Sequence, residues 1–518
     1  MDMIQVDTIR VDVQIIKMLF NNLTNTHFVE LHVENGKLNY LPKSVFNYPN
    51  LKRLTIKRSN IQLINKESLS NLGSLLYLDL SGNELQSLPS KVFENNKLIW
   101  YLIMKGNQIS EILEDTFIGL QNLVKLDLSF NQLTNLYDDS FTQLLKLKKL
   151  DLSSNQIQNI ESEISLEKDY FEHLKLLKYL DVSYNNITYL EPDVFKQNTD
   201  LEELNLSFNQ INELPDGILK FNSKLKYLDL SNNKIKQFNS RIFRNLTNLE
   251  YLDLSYNQLN AIPIDLFRYL IQLNELNLST NRLKRIESGL DPRIFYKLTQ
   301  LNVLNLSEMS FGPFSFFLEN ETRIKELNLS SNQLKHLSSN LSAPLSNLRK
   351  FDLSHNQIVT IDKDFFKPMG ETLNILNLIN NTLNLTSGVF DPLTNVLELN
   401  LTLNRLTNLD SKLFQKMVSL KSLDLSYNRI TFIPPNLLKL TQLYEVFLCY
   451  NRLTHLSSNI FGDDEYIRRS VVERLNIRII AKSYGDISDR GNGSDDIHEN
   501  SILEKGVLST FSGKIETN

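Results

Sequence analysis

One short pattern recurs along almost the whole chain. It reads apolar-x-x-apolar-x-apolar-x-x-Asn-x-apolar, and Leu249, Leu252, Leu254, Asn257 and Leu259 fit it in turn. Its asparagine position recurs 18 times, at intervals of 23 to 25 residues apart from one of 30 and one of 28, at residues 36, 59, 83, 107, 131, 155, 185, 209, 233, 257, 281, 309, 332, 356, 381, 404, 428 and 451. A period in this range predicts a solenoid of stacked coils.

Each repeat contains the elements of one coil. In Leu252-Asp253-Leu254 the side chains alternate, so both leucines face one side and Asp253 faces the other, as in a short strand. Such a strand is unstable alone, but stacked strands pair in parallel and bury a continuous leucine core. The asparagine follows at the turn, where its amide can satisfy buried backbone groups. Phenylalanine recurs ten residues later, and we expect it to fill the outer side of the coil, at Phe46, Phe93, Phe117, Phe141, Phe195, Phe243, Phe267, Phe414 and Phe461.

Units such as LKYLDLSNNKI and LKSLDLSYNRI resemble the repeats of leucine-rich repeat proteins. The 24-residue length and the added phenylalanine resemble the subclass found in Toll-like receptor ectodomains and chaoptin-like adhesion proteins. The resemblance implies an α/β solenoid, a leucine-rich repeat horseshoe with one parallel concave β-sheet and an irregular or short helical convex side. It also implies a receptor, adhesion or matrix role outside the cell or at its surface.

The pattern divides the chain into four parts. Residues 1–27 are predicted to be an amino-terminal partial repeat or cap, and residues 28–462 a solenoid of about 18 repeats with one strand each. Residues 463–480 place apolar side chains at the i, i+4 spacing of a helix, so we predict a capping helix there. From residue 481 the sequence turns polar, which predicts a disordered tail over 481–518.

Charge, hydropathy and cysteine content bear on which classes of partner the chain binds and where in or outside the cell it acts. With 55 basic and 60 acidic residues the net charge is −5, which does not favour nucleic acid or an anionic membrane as a partner. No stretch approaches the roughly 20 apolar residues of a membrane span. The one cysteine, Cys449, allows no internal disulfide, and the amino terminus lacks the pattern of a signal peptide. The resemblance predicts an extracellular or cell-surface location. The lone cysteine and the amino terminus favour the alternative, a cytoplasmic location.

Glycosylation sequons do not decide between these locations. The chain has thirteen Asn-x-Ser/Thr sequons. Five arise from the strand consensus itself, where a glycan would obstruct the concave face; they are Asn205, Asn277, Asn305, Asn328 and Asn400. The number of sequons is therefore weak support for a secreted protein.

No residue pattern indicates an enzyme. His455 lies near Cys449 in sequence, but a strand and a turn separate them and no third group orients the pair. The histidines are scattered, without a pair at metal-ligand spacing. Strand-centre aspartates such as Asp229 and Asp253 could form a calcium site, but we favour a polar consensus position flanked by lysines as their explanation. We predict no catalytic residue, no metal and no cofactor.

Aromatic residues mark one part of the predicted concave face. Repeats seven to ten carry tyrosine or phenylalanine before and after the strands, with aspartates between them. Exposed tyrosine beside mixed charge is typical of a protein-binding patch, although tyrosine is also a common strand residue. The predicted ligand-binding residues are Tyr179, Tyr184, Phe208, Tyr227, Asp229, Tyr251, Asp253 and Tyr256.

Together these features predict a non-catalytic protein that binds a protein partner through its concave face, in a receptor, adhesion or matrix-like role. The alternative is an intracellular leucine-rich repeat scaffold or regulator that positions an enzyme. The identity of the partner and the oligomeric state do not follow from the sequence.

Overall fold

The computed structural model describes residues 9–10, 29–41, 48–136, 139–158, 170–283, 290–309, 323–440, 442–454, 458–461 and 476–478. The chain forms two compact units, Met1–Asn332 and Gln333–Asn518. Each unit is a stack of coils, and each coil contributes one short strand to a parallel sheet. The predicted fold class, a leucine-rich repeat solenoid with a parallel sheet, is confirmed.

The first unit pairs its strands in parallel and in register, so that the central leucines form one row, for example Leu204, Leu228 and Leu252. The strands of this sheet are Ile9–Arg10, Glu30–Glu34, Arg53–Lys57, Tyr77–Asp79, Tyr101–Ile103, Lys125–Asp127, Lys149–Asp151, Tyr179–Asp181, Glu203–Asn205, Tyr227–Asp229, Tyr251–Asp253, Glu275–Asn277, Val303–Asn305 and Glu326–Asn328. Its other described elements are a two-stranded sheet, Tyr40–Leu41 with Leu63–Ile64, and the 3₁₀ helix Pro292–Phe295.

The second unit repeats the same arrangement. The strands of its sheet are Lys350–Asp352, Ile375–Asn377, Glu398–Asn400, Ser422–Asp424, Glu445–Phe447 and Asn476–Arg478. A two-stranded sheet pairs His336–Leu337 with Thr360–Ile361, and the 3₁₀ helices are Ser339–Leu341, Ala343–Leu345, Lys367–Met369 and Ser458–Phe461. The described ranges contain no α-helix, which agrees with the predicted irregular or short helical convex side.

The 18 strands predicted from the repeat are all present, and each end of the chain adds one more. Ile9–Arg10 pairs with the first repeat strand, and Asn476–Arg478 pairs with the last, Glu445–Phe447. Asn476–Arg478 therefore differ from the capping helix predicted at 463–480, because an added strand satisfies the ladder groups of an edge strand that a helix would leave unpaired. The remainder of that helix, the predicted tail and all but two residues of the predicted 1–27 cap lie outside the described residues.

A stack of phenylalanine rings fills the outer side of the first unit. Phe93, Phe117, Phe141, Phe171 and Phe195 are buried, and the centroids of successive rings are 6.1 to 6.4 Å apart. Such spacing is typical of favourable ring pairs. The rings therefore stabilise the core both by burying apolar surface and by contacting each other. The predicted burial of the phenylalanine position is confirmed for Phe93, Phe117, Phe141, Phe195, Phe243, Phe267 and Phe414. Phe171 was not predicted, and Phe46 and the Phe461 side chain lie outside the described residues.

A buried asparagine side chain joins neighbouring coils at most ladder positions; residues 36, 59 and 309 are glycine, serine and methionine. The Asn233 Nδ2 donates to three carbonyl oxygens at 3.0 to 3.2 Å, those of Leu206, Leu230 and Ser231. Its Oδ1 accepts the Ile211 N–H at 3.0 Å. Two of these partners, Leu206 and Ile211, belong to the preceding coil, so one side chain closes its own turn and also binds the coil before it. This confirms the predicted role of the ladder asparagine.

A second asparagine column, which the sequence reasoning missed, lies on the outer side. Asn96, Asn198 and Asn222 are fully buried. The Asn198 Nδ2 donates to the carbonyl oxygens of Phe171 and Leu174 at 2.8 and 3.0 Å. The sequence signal is an asparagine where other repeats place leucine, three residues after the phenylalanine position.

Replacing Asn233 with alanine should destabilise the protein by about 2–4 kcal/mol, because the Ile211 N–H and three carbonyl oxygens stay buried without their partner. Urea unfolding followed by circular dichroism measures the loss. Asn212→Ala is the matched control, since Asn212 is exposed, and its expected effect is below about 0.5 kcal/mol. Equal stability of the two variants would contradict the role of the ladder asparagine.

Candidate functional site

The eight predicted residues lie on four consecutive coils of the first unit and form two sets. Each member of the first set alternates along its strand with a buried leucine, and so stands on the exposed face of the sheet. This set, the tyrosine face, is Tyr179, Tyr227, Asp229, Tyr251 and Asp253. The second set, the aromatic edge, stands on the turns that directly follow the strands; it is Tyr184, Phe208 and Tyr256.

Two stacked tyrosines lie at the centre of the tyrosine face. Tyr227 and Tyr251 are paired in register, and their ring centroids are 4.4 Å apart with an interplanar angle of 5°. The Tyr251 hydroxyl donates to Asp253 Oδ2 at 3.2 Å, and the Tyr227 hydroxyl lies 3.5 Å from Asp229 Oδ2. These contacts follow from strand geometry, because residues i and i+2 share one face. The rings are therefore held in place before any partner arrives.

The aspartates of this face also close the turns. Asp253 is only 8% exposed and accepts three hydrogen bonds. The donors are the Ser255 N–H at 2.8 Å, the Tyr251 hydroxyl, and Asn277 Nδ2 of the next coil at 2.9 Å. The Asp229 Oδ1 accepts the Ser231 N–H at 2.9 Å in the same way. An aspartate or asparagine two residues before serine is the sequence signal for this turn.

The surroundings of the tyrosine face shift its pKa values upward. Burial, and then the charge of Asp229, raises the pKa of Tyr227 to about 12. Burial followed by the charge of the aspartate two residues on raises the pKa of Tyr179 and of Tyr251. Burial also raises the pKa of the Asp229 carboxyl, against the opposing effect of the Ser231 N–H. The phenols are thus protonated hydrogen-bond donors at neutral pH.

The aromatic edge stands on strained backbone. Tyr184, Phe208 and Tyr256 have φ values of 52°, 52° and 50°, in the left-handed region, which costs bulky residues on the order of 1 kcal/mol or more. Glycine occupies the same repeat position at Gly82 and Gly106 without this strain. The three rings are 53%, 40% and 52% exposed, although Tyr184 and Phe208 stack on each other. The same left-handed conformation occurs at Asn232 and Thr280, so it belongs to the turn of the repeat.

An open groove of about 790 Å³ runs along the aromatic edge. The three edge rings line it, together with Asn232, Gln258, Thr280, Arg282 and Glu308. Sequence reasoning missed Asn232, Arg282 and Glu308. Asn232 could have been found from the column directly before the ladder asparagine, where Tyr184, Phe208 and Tyr256 also stand.

The residues considered for other chemistries are placed as follows. Within the described ranges, no group of three or more His, Cys, Asp and Glu side chains is placed to hold a metal ion. Cys449 is buried, and its sequence neighbour His455 lies outside the described residues. No helix among the described residues has the length and apolar character needed to cross a membrane.

The family model for the leucine rich repeat matches residues 26–85, 77–133, 121–163, 164–211, 199–259, 346–406 and 394–440, which is more than half of the chain. The chain belongs to the leucine-rich repeat family. No curated protein matched the sequence. Repeats of this family build extended, pre-formed surfaces, and they are typically non-catalytic interaction scaffolds.

Solved leucine-rich repeat structures resemble this one. A leucine-rich repeat protein of Leptospira interrogans aligns with a TM-score of 0.66 at 25% identity, over 80% of this chain and 100% of that chain. The structure of the Toll–Spatzle complex of Drosophila aligns with a TM-score of 0.66 at 21% identity, over 91% of this chain and 68% of that one. At 21% identity the second likeness shows the fold alone. Family and fold together support a protein-binding repeat protein.

Stability should fall with rising pH above pH 10, partly because of Tyr227. The unfolded phenol titrates near pH 10, whereas the folded one holds its proton up to a pKa of about 12. Between these values the unfolded state binds fewer protons, so the free energy of unfolding decreases as pH rises. Tyr227→Phe removes this contribution and should give a shallower fall, measured by urea unfolding at pH 8, 10, 11 and 12. Identical slopes in both proteins would refute the assignment, and pH 8 is the internal control.

Proposed function

We propose that this leucine-rich repeat protein binds a protein partner, without catalysis, through the tyrosine face and the aromatic edge. The observation that carries the proposal is the set of exposed rings held at positive φ beside the stacked tyrosines. Aromatic residues are enriched at the centres of protein interfaces, where they supply much of the binding energy. Rings already fixed by stacking and hydrogen bonds lose little entropy on binding, which favours affinity.

We further propose a receptor, adhesion or matrix-like role. The Toll–Spatzle complex is a case in which a protein of this fold is found together with a protein ligand. The second candidate is an intracellular scaffold or regulator that positions an enzyme. The observation that favours it is the chain's one cysteine, Cys449, since secreted proteins commonly use disulfides and this chain can form none internally.

The double variant Tyr227→Ala/Tyr251→Ala should lose the partner, because it removes the stacked pair at the centre of the proposed interface. Alanine substitution of interface aromatics commonly costs about 2 kcal/mol or more, which is roughly a 30-fold loss of affinity. The measurement is quantitative affinity capture from native cells with wild-type and variant protein, followed by titration of each protein that the wild type retains and the variant loses.

The matched control is Tyr296→Ala, because Tyr296 is 60% exposed but lies just after the 3₁₀ helix Pro292–Phe295, off the sheet. We expect it to retain the same partner as wild type. A partner set unchanged by the double variant, or lost equally with the control, would exclude the tyrosine face as the binding surface.

Glycan occupancy should separate the two roles. In the receptor or adhesion role we expect glycosidase treatment to shift the mobility of protein from native cells. Mass spectrometry should then find glycan at exposed sequons such as Asn245 and Asn384, and not at the strand residue Asn205, which is half-buried and accepts the Ser207 N–H at 3.0 Å. Unshifted protein in the soluble fraction would instead establish the intracellular candidate.

A further inference from the structure

The row of residues directly before the ladder asparagines is interrupted at one point of the aromatic edge. Rings in this row stack across adjacent coils: the Tyr184 and Phe208 centroids are 4.0 Å apart with an interplanar angle of 9°. On the next coil stands Asn232, and the coil after that carries Tyr256. Phe208 and Tyr256 are therefore two coils apart, about 9.6 Å at the ~4.8 Å spacing of paired strands.

The space between the Phe208 and Tyr256 rings is wide enough for one planar group. A plane midway between the two rings lies about 4.8 Å from each, close to the 4.0 and 4.4 Å separations of stacked ring pairs in this protein. Phe208, Asn232 and Tyr256 all line the same open groove, so the interval is accessible from solvent. We call it the edge slot, with Phe208 and Tyr256 as its walls and Asn232 as its floor.

The floor of the edge slot offers a hydrogen-bond acceptor. The Asn232 Nδ2 donates to Ser231 Oγ at 3.3 Å, while its Oδ1 accepts no hydrogen bond from the described residues. An incoming group with N–H donors in its plane would therefore satisfy the floor and stack on the walls at the same time. A phenyl ring would fill the space but leave the amide oxygen without a donor.

One ring of this row already has a cation over its face. Lys105 Nζ lies 4.8 Å from the ring centroid of Phe130, which stands directly before the ladder residue Asn131. A cation over an aromatic face is attracted by about 0.5–2 kcal/mol. A cation between Phe208 and Tyr256 would lie against one face of each ring. Among side chains only the guanidinium of arginine is planar, cationic and rich in N–H donors.

We propose that the edge slot binds an arginine side chain of the protein partner. The inference rests on the proposed function, because it names the group by which the partner engages the aromatic edge. From Tyr184 to Glu308 the groove spans five coil steps, about 24 Å, which accommodates about seven residues of extended peptide around that arginine.

Peptide selection tests the edge slot directly. A phage-displayed random heptapeptide library is selected on the wild-type protein and counter-selected on Asn232→Tyr, which fills the slot with the residue that Tyr184 and Tyr256 already place at this position. We expect the surviving peptides to carry arginine at one shared position. Enrichment of an aromatic residue there, or survival of no peptide that discriminates the two proteins, would overturn the proposal.

Affinities of a selected peptide then measure the slot. Asn232→Tyr should weaken binding about ten-fold or more. The matched control is Asn380→Tyr, the same substitution at the same repeat position in the second unit, where His355 and Leu403 replace the rings. It should bind like wild type. If Asn232→Tyr fails to fold by circular dichroism, Phe208→Ala and Tyr256→Ala each remove one wall, and unchanged affinity in both would refute the slot.

The native partner separates this proposal from the one on which it rests. If Tyr227→Ala/Tyr251→Ala loses the partner while folded Asn232→Tyr keeps it with full affinity, the edge slot is wrong and the proposed function stands. If neither variant affects any partner, both are wrong. Loss of the partner in both variants, with the Asn380→Tyr control intact, supports both.

Discussion

The hydrogen bonds of the buried ladder asparagine are the interaction on which the rest of the structure depends. Each coil must turn off its strand inside the stack, where water cannot satisfy the backbone. One amide, such as that of Asn233, supplies a donor group to three carbonyl oxygens and an acceptor to an N–H of the preceding coil. With the turn closed in this way, the leucine row and the phenylalanine stack come into register from coil to coil.

The turn geometry that buries the ladder asparagine also determines which residue is exposed beside it. To bring the asparagine inward, the residue before it adopts a positive φ and points outward, as in Phe208 and Tyr256. Glycine adopts this conformation with the least strain, so an aromatic residue there destabilises the fold relative to glycine. Because every coil repeats the geometry, such rings form a row with fixed spacing, and a gap in the row, as at Asn232, becomes a defined recess.

Sequence reasoning predicted the core more completely than the site. The strand leucines, the ladder asparagines and most of the phenylalanine column were predicted, because each is set by local alternation or by a fixed offset within one repeat. Phe171 was missed, because it follows an insertion that changes the offset. The eight site residues were correctly placed on neighbouring coils, and their binding role stays a proposal. The sequence separated the aromatics before the strands from those after them but placed both on one surface. It missed the turn-closing role of Asp253, which also accepts a hydrogen bond from Asn277 one coil away.

The amino-acid sequence by itself determined that this chain is a leucine-rich repeat solenoid with one strand in each coil, because period-2 alternation and asparagine spacing act within a single repeat. Only the tertiary structure decided which aromatic rings stack, which aspartates are buried and where an open slot remains. The physical reason is distance along the chain: Phe208 and Tyr256 are two repeats apart, and parallel strand pairing alone brings them within reach of one bound group.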